Sequence, residues 1–335
     1  MKKISVLIFL CTFSFSVVAQ KIYPTRGRIL SIHPSFNQIL DRDAVIEVLA
    51  SGFKWAEGPV WIKENNSLLF SDVPANTIYQ WNEKSGLSVF LTPSGYTGRG
   101  EYSDEPGSNG LIMNQKGELV ACEHGDRRLT SMHLLKGGKR TLADGYEGKR
   151  FNSPNDVVQH NNASYYFTDP PYGLALKHND PSRELEHFGV YRCSPEGQVS
   201  LQISDLSRPN GLAFSPDQKT LYVAVSDPEH AVWMSYPVLE DGSIGKGETF
   251  YDATEALKRG KAGLPDGLKV DYKGNLWASG PGGIWILNPE GKLLGRIEMD
   301  ELTSNCAWGD DGATLYMTVN GYLCRVRTKV KGANW

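Results

Sequence analysis

RPNGLAFSPD, residues 208 to 217, sets a polar residue, Asn210, directly before a short apolar strand that ends in a turn. The same phrase recurs along the chain. It appears as AEGPVW around Glu57, SNGLIM around Asn109, SPNDVV around Asn155, LPDGLKVD around Asp266 and TSNCAWGD around Asn305. The six openings lie 39 to 56 residues apart, which is too long for leucine-rich or ankyrin units and suits a four-stranded propeller blade with variable loops. Six repeats predict an all-β, six-bladed β-propeller. In a closed ring the innermost strands run the same way along the central channel, so the residues that open them meet at one mouth.

Working outward from each opening, a second strand follows a turn: SLLFSD (67–72), ELVACE (118–123), SYYFTD (164–169), TLYVAVSD (220–227), NLWASG (275–280) and TLYMTV (314–319). Third strands read at TIYQW, RLTSM, GVYRC, AVWMSY, GIWIL and YLCRV, and fourth strands at segments such as LSVFL and GQVSLQI. The last repeat has too little chain left for a fourth strand. The early segment AVIEVLAS (44–51) is the candidate to fill that gap and close the ring. The propeller is therefore placed at 44–335, with an N-terminal extension at 20–43. Only ATEALKRG reads as helical, and residues 93–108, 170–187 and 228–231 read as insertions, of which the first two are placed to rim the polar mouth.

Composition narrows the function. With 40% hydrophobic and 22% charged residues the chain has ample material for a core, and its net charge of −3 comes with no basic block, so nucleic acid is not expected as a partner. Residues 1–19 read as a secretory signal: Lys2 and Lys3, an apolar run from Ile4 to Val18, and Val17 and Ala19 before cleavage at Gln20. That run is shorter than a bilayer span, and bulky Leu10 disfavours lipoprotein processing at Cys11. The mature chain is expected in the periplasm or outside the cell, without a membrane span, and nothing specifies an oligomeric state. Cys122, Cys193, Cys306 and Cys324 then remain, enough for up to two disulfides. Four buried thiols are the favoured reading, with Cys306–Cys324 the candidate if a bridge forms.

Asn-Gly and Asp-Gly are ordinary turn dipeptides taken singly. Taken together, Glu57, Asn109, Asn155, Asn210, Asp266 and Asn305 aim at one channel mouth, and a structural turn has no need of carboxylates in two places and carboxamides in the rest. Such an oxygen set suits a central site for a hard divalent cation, Ca²⁺ first, with Mg²⁺, Mn²⁺ or Zn²⁺ as alternatives, although no zinc cluster of His and Cys is written here. Asn109 and Asn305 read either as polar groups behind the site or as channel-lining turns. No GxSxG elbow or glycine-rich phosphate loop is present.

EGPVW, RFNSPNDVV, YFTDPPYGL, RPNGLAFSPD and LPDGLKVD together resemble the motifs of the SMP-30/gluconolactonase/luciferin-regenerating family, from about residue 45 to the C-terminus. The resemblance implies metal ligation by Glu57, Asn210 and Asp266, with Asn155 a further ligand or a substrate contact. It also implies hydrolysis of a lactone, foremost a sugar lactone such as gluconolactone. A cation in an open polar mouth polarises the carbonyl while water attacks. Asp266 is the candidate to take the water's proton, although a carboxylate beside a cation has a low pKa and is a weak base; ligation alone is the alternative. Arg150 resembles the family's substrate-contacting Arg, with a surface salt bridge as the alternative. His124 is a candidate proton shuttle or substrate donor, or a turn-stabilising His, and Tyr172 is placed to stack on a sugar ring or to pack blades. The competing functions are a non-catalytic propeller that binds carbohydrate or protein, and an organophosphate or aryl-ester hydrolase on the same scaffold.

Overall fold

The structure, a computed structural model, describes residues 21–333 and 335; the expected leader at 1–19 lies outside them. Six antiparallel sheets, four of which begin at Ala56–Ile62, Ser108–Met113, Pro209–Phe214 and Thr303–Gly309, surround one channel. The other two begin at the short strands Val157–Gln159 and Leu268–Val270. These six innermost strands touch one another in turn, and the sixth touches the first, so the ring is closed. Ile46–Ser51 pairs with Tyr322–Arg327 and supplies the outer strand of the sixth blade, as its sequence suggests.

Alternation along the strands builds the core. In Ser67–Asp72 all six residues are buried, because Leu68 and Phe70 face one neighbouring blade while Leu69 faces the other. A strand covered on both faces has no solvent side and reads as a continuous apolar run. The buried side chains form six clusters, one at each blade junction; Trp277 and Trp308 meet at the fifth-to-sixth junction, and Trp61 and Tyr316 at the sixth-to-first.

One expectation is corrected, and the favoured reading of the cysteines as four buried thiols is met. The stretch at 20–43 is no appendage: Arg28–Ser31 pairs with Leu293–Glu298 as a fifth strand of the fifth blade, and Phe36, fully buried, packs against Gly295, where a Cβ would lie 2.4 Å from its ring. Cys122, Cys193, Cys306 and Cys324 are all free, buried thiols, so the Cys306–Cys324 bridge is not formed; burial raises both of these thiols to about 12.

Every inner strand is interrupted where it opens. Ladder pairing breaks between Glu57 and Val60, Ser108 and Leu111, Pro209 and Leu212, and Thr303 and Asn305. In the third and fifth blades pairing starts only at Val157 and Leu268. A bulge leaves one residue unpaired and re-aims its side chain. Asn109, Asn155, Asn210 and Asp266 lie outside the ladders and at the mouth, whereas Glu57 stays paired with Ser71 directly before its break.

Candidate functional site

The mouth is a cavity of about 400 Å³ lined at its floor by Glu57, Asn109, Asn155, Asn210 and Asp266, each from a different blade. Backbone contacts at the blade junctions set their height. Gly110 N donates to Asn155 O and Gly267 N donates to Ser304 O, both at 2.7 Å. Gly58 holds a positive φ of 50°, and a Cβ there would sit 1.9 Å from Asn109 O, so only glycine lets these two blades meet.

Those bonds also correct the sixth copy. Ser304 is the counterpart of Asn155, and Asn305 is the counterpart of Asp156. Asp156 N and Asn305 N each bond a threonine hydroxyl at 3.1 Å, Thr168 and Thr318, and each side chain accepts from the next backbone N–H. Asn305 therefore lies one step below the mouth. The other four blades carry glycine at that step, and Asp156 and Asn305 occupy the space so released: a Cβ on Gly110 would meet Asp156 Oδ1 at 2.6 Å, and one on Gly267 would meet Asn305 Cγ at 1.9 Å. Asn305 Nδ2 reaches Glu57 Oε2 at 3.4 Å. Counting two residues back from the first apolar residue of each repeat, rather than aligning the asparagines, finds this register in the sequence.

Acidic side chains that end the second strands hold the loops feeding the mouth. Asp72 accepts from Lys54 N and Trp55 N, and Asp169 accepts from Asn152 N and Ser153 N. Glu57 is pinned by Trp55 Nε1 at 3.3 Å and Gly58 N at 3.1 Å. Asn210 Nδ2 donates to Ser226 Oγ at 2.9 Å.

Burial raises the Glu57, Asp156 and Asp266 carboxyls above the usual carboxylate range, and for Glu57 and Asp266 the neighbouring carboxylates raise them further. Lys269 opposes the shift at Asp156, yet none of the three forms an ion pair among the described residues. An uncompensated buried charge costs on the order of several kcal/mol. Two carboxylates and three carboxamides facing one cavity thus fit a hard divalent cation, whose charge would offset theirs. Among the described residues no three His, Cys, Asp or Glu side chains gather as a metal cluster, so the donor set is not of the zinc-finger kind.

The other expected site residues divide. Tyr172 lines the cavity, its hydroxyl buried and without a hydrogen-bond partner among the described residues. His124 does not line it. The ring is fully buried behind Asn155, burial holds its pKa down at about 4, and both nitrogens are engaged, Nδ1 with Glu105 O at 3.2 Å and Nε2 with Asn155 Nδ2 at 3.4 Å. A proton shuttle needs a free nitrogen that titrates near the working pH, and His124 has neither. Arg150 is also outside: exposed on the Gly145–Tyr146/Lys149–Arg150 hairpin, it donates through Nη2 to Asp126 O at 3.3 Å. The cation that lines the cavity is Arg208, two residues before Asn210 in the phrase RPNG. The three insertions contribute Glu105, Tyr172 and Pro228, and Trp55, Leu257, Leu264 and Leu302 form an apolar wall.

A six-bladed propeller with an oxygen-lined mouth is the class that this geometry defines. The family profile described as SMP-30/Gluconolactonase/LRE-like region matches residues 55–321. The chain belongs to that family. It is 41% identical over 316 residues to a gluconolactonase of Zymomonas mobilis, covering 92% of this chain and 88% of that protein. A solved gluconolactonase from Xanthomonas campestris superimposes with a TM-score of 0.78 at 30% identity, covering 92% and 99% of the two chains. The regucalcin of Agrobacterium tumefaciens, described as a calcium-binding protein, shares the fold with a TM-score of 0.68 at 19% identity, over 92% and 96%.

Proposed function

We propose that the protein is an exported, divalent-cation-dependent lactone hydrolase whose substrates are sugar lactones of the gluconolactone kind. The observation that carries this reading is the convergence of Glu57, Asn109, Asn155, Asn210 and Asp266, from five blades, on one cavity. The similarity to gluconolactonases over nine-tenths of the chain supports the reaction class.

Glu57, Asn155, Asn210 and Asp266 would hold the cation, Ca²⁺ first by donor chemistry. When bound, it supplies the charge that polarises the lactone carbonyl and stabilises the oxyanion. Asp266 accepts the proton of the attacking water. In the cation-free chain burial, with the neighbouring carboxylates, raises its carboxyl above the usual range; the base role rests on its place in the cavity. Tyr172 donates its unpartnered hydroxyl to a substrate oxygen, since a buried O–H without an acceptor is a vacancy for one. Arg208 meets the ring hydroxyls or an anionic substituent through its planar donors, and the apolar wall covers the carbon face of the ring. A secretory leader at 1–19, as the sequence reads, would carry this activity to the periplasm or outside the cell.

The test is proton release from glucono-1,5-lactone and a panel of other lactones, aryl esters and organophosphates, with product identification. Opening of aldonolactones at rates at least tenfold above the other classes is expected. Turnover of aryl esters or organophosphates alone would move the assignment to that class, and no turnover with a bound cation would make the protein a binding propeller.

A further inference from the structure

We infer that His124 and Ser226 are positioning residues that force Asn155 and Asn210 to turn their carboxamide oxygens, and not their NH₂ groups, toward the cavity. A carboxamide has a donor end and an acceptor end of nearly the same shape, so packing alone does not choose between them. A hydrogen-bond partner that can only accept does choose.

His124 is such a partner. Its Nδ1 lies 3.2 Å from the carbonyl oxygen of Glu105, which can only accept, so Nδ1 carries the ring proton. In a neutral imidazole the other nitrogen is then an acceptor, and Nε2, 3.4 Å from the Asn155 side chain, selects its NH₂ end. The ring has no room to turn away: it is fully buried, and a Cβ on Gly173 would come within 2.4 Å of His124 Cβ. Ser226 reaches the same result with different chemistry. Its hydroxyl hydrogen is spent on the carbonyl oxygen of Pro265, so its lone pairs face Asn210 and accept from Nδ2 at 2.9 Å. One device sits in the second blade and acts on the third; the other lies within the fourth and is tied to the residue preceding Asp266. Two unrelated side chains that impose the same polarity on two carboxamides point to a requirement for oxygen at both positions.

This inference rests on the reading of the mouth as a cation site. Residues behind a ligand that fix its orientation typically change metal affinity 10- to 100-fold when removed. The experiment is calorimetric titration of Ca²⁺ into EDTA-stripped protein, with circular dichroism and a thermal melt of each variant without metal. Ser226→Ala and His124→Leu are expected to weaken Ca²⁺ binding at least tenfold while the folded spectrum is retained. Ser226→Thr, which keeps the hydroxyl, is expected to bind within about threefold of the wild type. Unchanged Ca²⁺ affinity in Ser226→Ala, or equal losses in Ser226→Thr and Ser226→Ala, would overturn the inference and leave the cation site standing. If His124→Leu does not fold, the Ser226 pair decides. A wild-type protein that binds none of Ca²⁺, Mg²⁺ or Mn²⁺ would instead remove the cation reading, and this inference with it.

Discussion

At one end of the channel Glu57, Asn109, Asn155, Asn210 and Asp266 enclose about 400 Å³; at the other, Trp61, Met113, Phe214, Val270 and Trp308 line a wider hollow of about 630 Å³. The same inner strands build both ends. At the first end each strand is bulged or not yet paired, and its side chains turn into the channel. At the second, Val60, Leu111 and Leu212 have entered regular ladders with Leu69, Ala121 and Val223, and the strands run on into blade packing. Size therefore does not locate the chemistry in this molecule. The interrupted ends of the strands mark the proposed site: Asn109, Asn155, Asn210 and Asp266 are released from the ladders there, and Glu57 sits at the edge of its break.

The largest effect should come from Asp266→Ala, which would remove both a proposed ligand and the proposed proton acceptor. Lactone turnover is expected to fall about 10³-fold or more, some 4 kcal/mol in the barrier, while the metal-free melting temperature holds or rises because an unpaired buried carboxylate is gone. Steady-state kinetics and a melt check both. Unfolding of this variant would show the mouth to be structural, like its opposite end.

The next effect is on stability with pH. His124 titrates near 4 in the folded chain, held down by burial, and near 6.5 when unfolded, so the unfolded chain binds the proton first as pH falls. Its contribution is complete above pH 6.5 and is lost progressively from there down to about pH 4. Asp169, raised to about 7 by burial, contributes with the opposite sign. Urea melts of wild type and His124→Gln at pH 7 and pH 4.5 should therefore show the wild type losing roughly 2 to 3 kcal/mol more than the variant. Parallel pH profiles would contradict the buried neutral ring.

Gly267→Ala drives a methyl into Asn305 and displaces it from Glu57; a loss of about 2 kcal/mol in denaturant stability is expected. Arg208→Gln is expected to raise KM about tenfold, roughly 1.4 kcal/mol, for hydroxylated or anionic lactones with kcat within about threefold, whereas Arg150→Gln leaves both unchanged. The smallest effect belongs to the opposite end: Trp335→Ala, at the rim of the wider hollow, should alter turnover by less than about twofold.

The blades were legible because each repeat carries its own alternation and turn. SLLFSD, ELVACE, TLYVAVSD, GIWIL and TLYMTV coincide with observed strands residue for residue, and AVIEVLAS closes the ring. The mouth was legible as a set for the same reason: five of the six residues found by repeating one phrase line the cavity. What escaped depends on long-range or side-chain geometry. Arg28–Ser31 pairs some 270 residues away, and no local pattern announces that partner. Ser304 was hidden by the more conspicuous Asn305 beside it. Arg150 stands close to Asn155 in sequence, but a two-residue hairpin turns it outward, while Arg208 reaches the cavity from the blade after.

The most direct test of the account is turnover of glucono-1,5-lactone by EDTA-stripped protein as Ca²⁺, Mg²⁺ or Mn²⁺ is titrated back, with cation binding followed in parallel. The account predicts activity that vanishes on stripping and returns in proportion to cation occupancy, and a Glu57→Gln protein that needs at least tenfold more cation for the same rate. Full activity after complete removal of metal would contradict it.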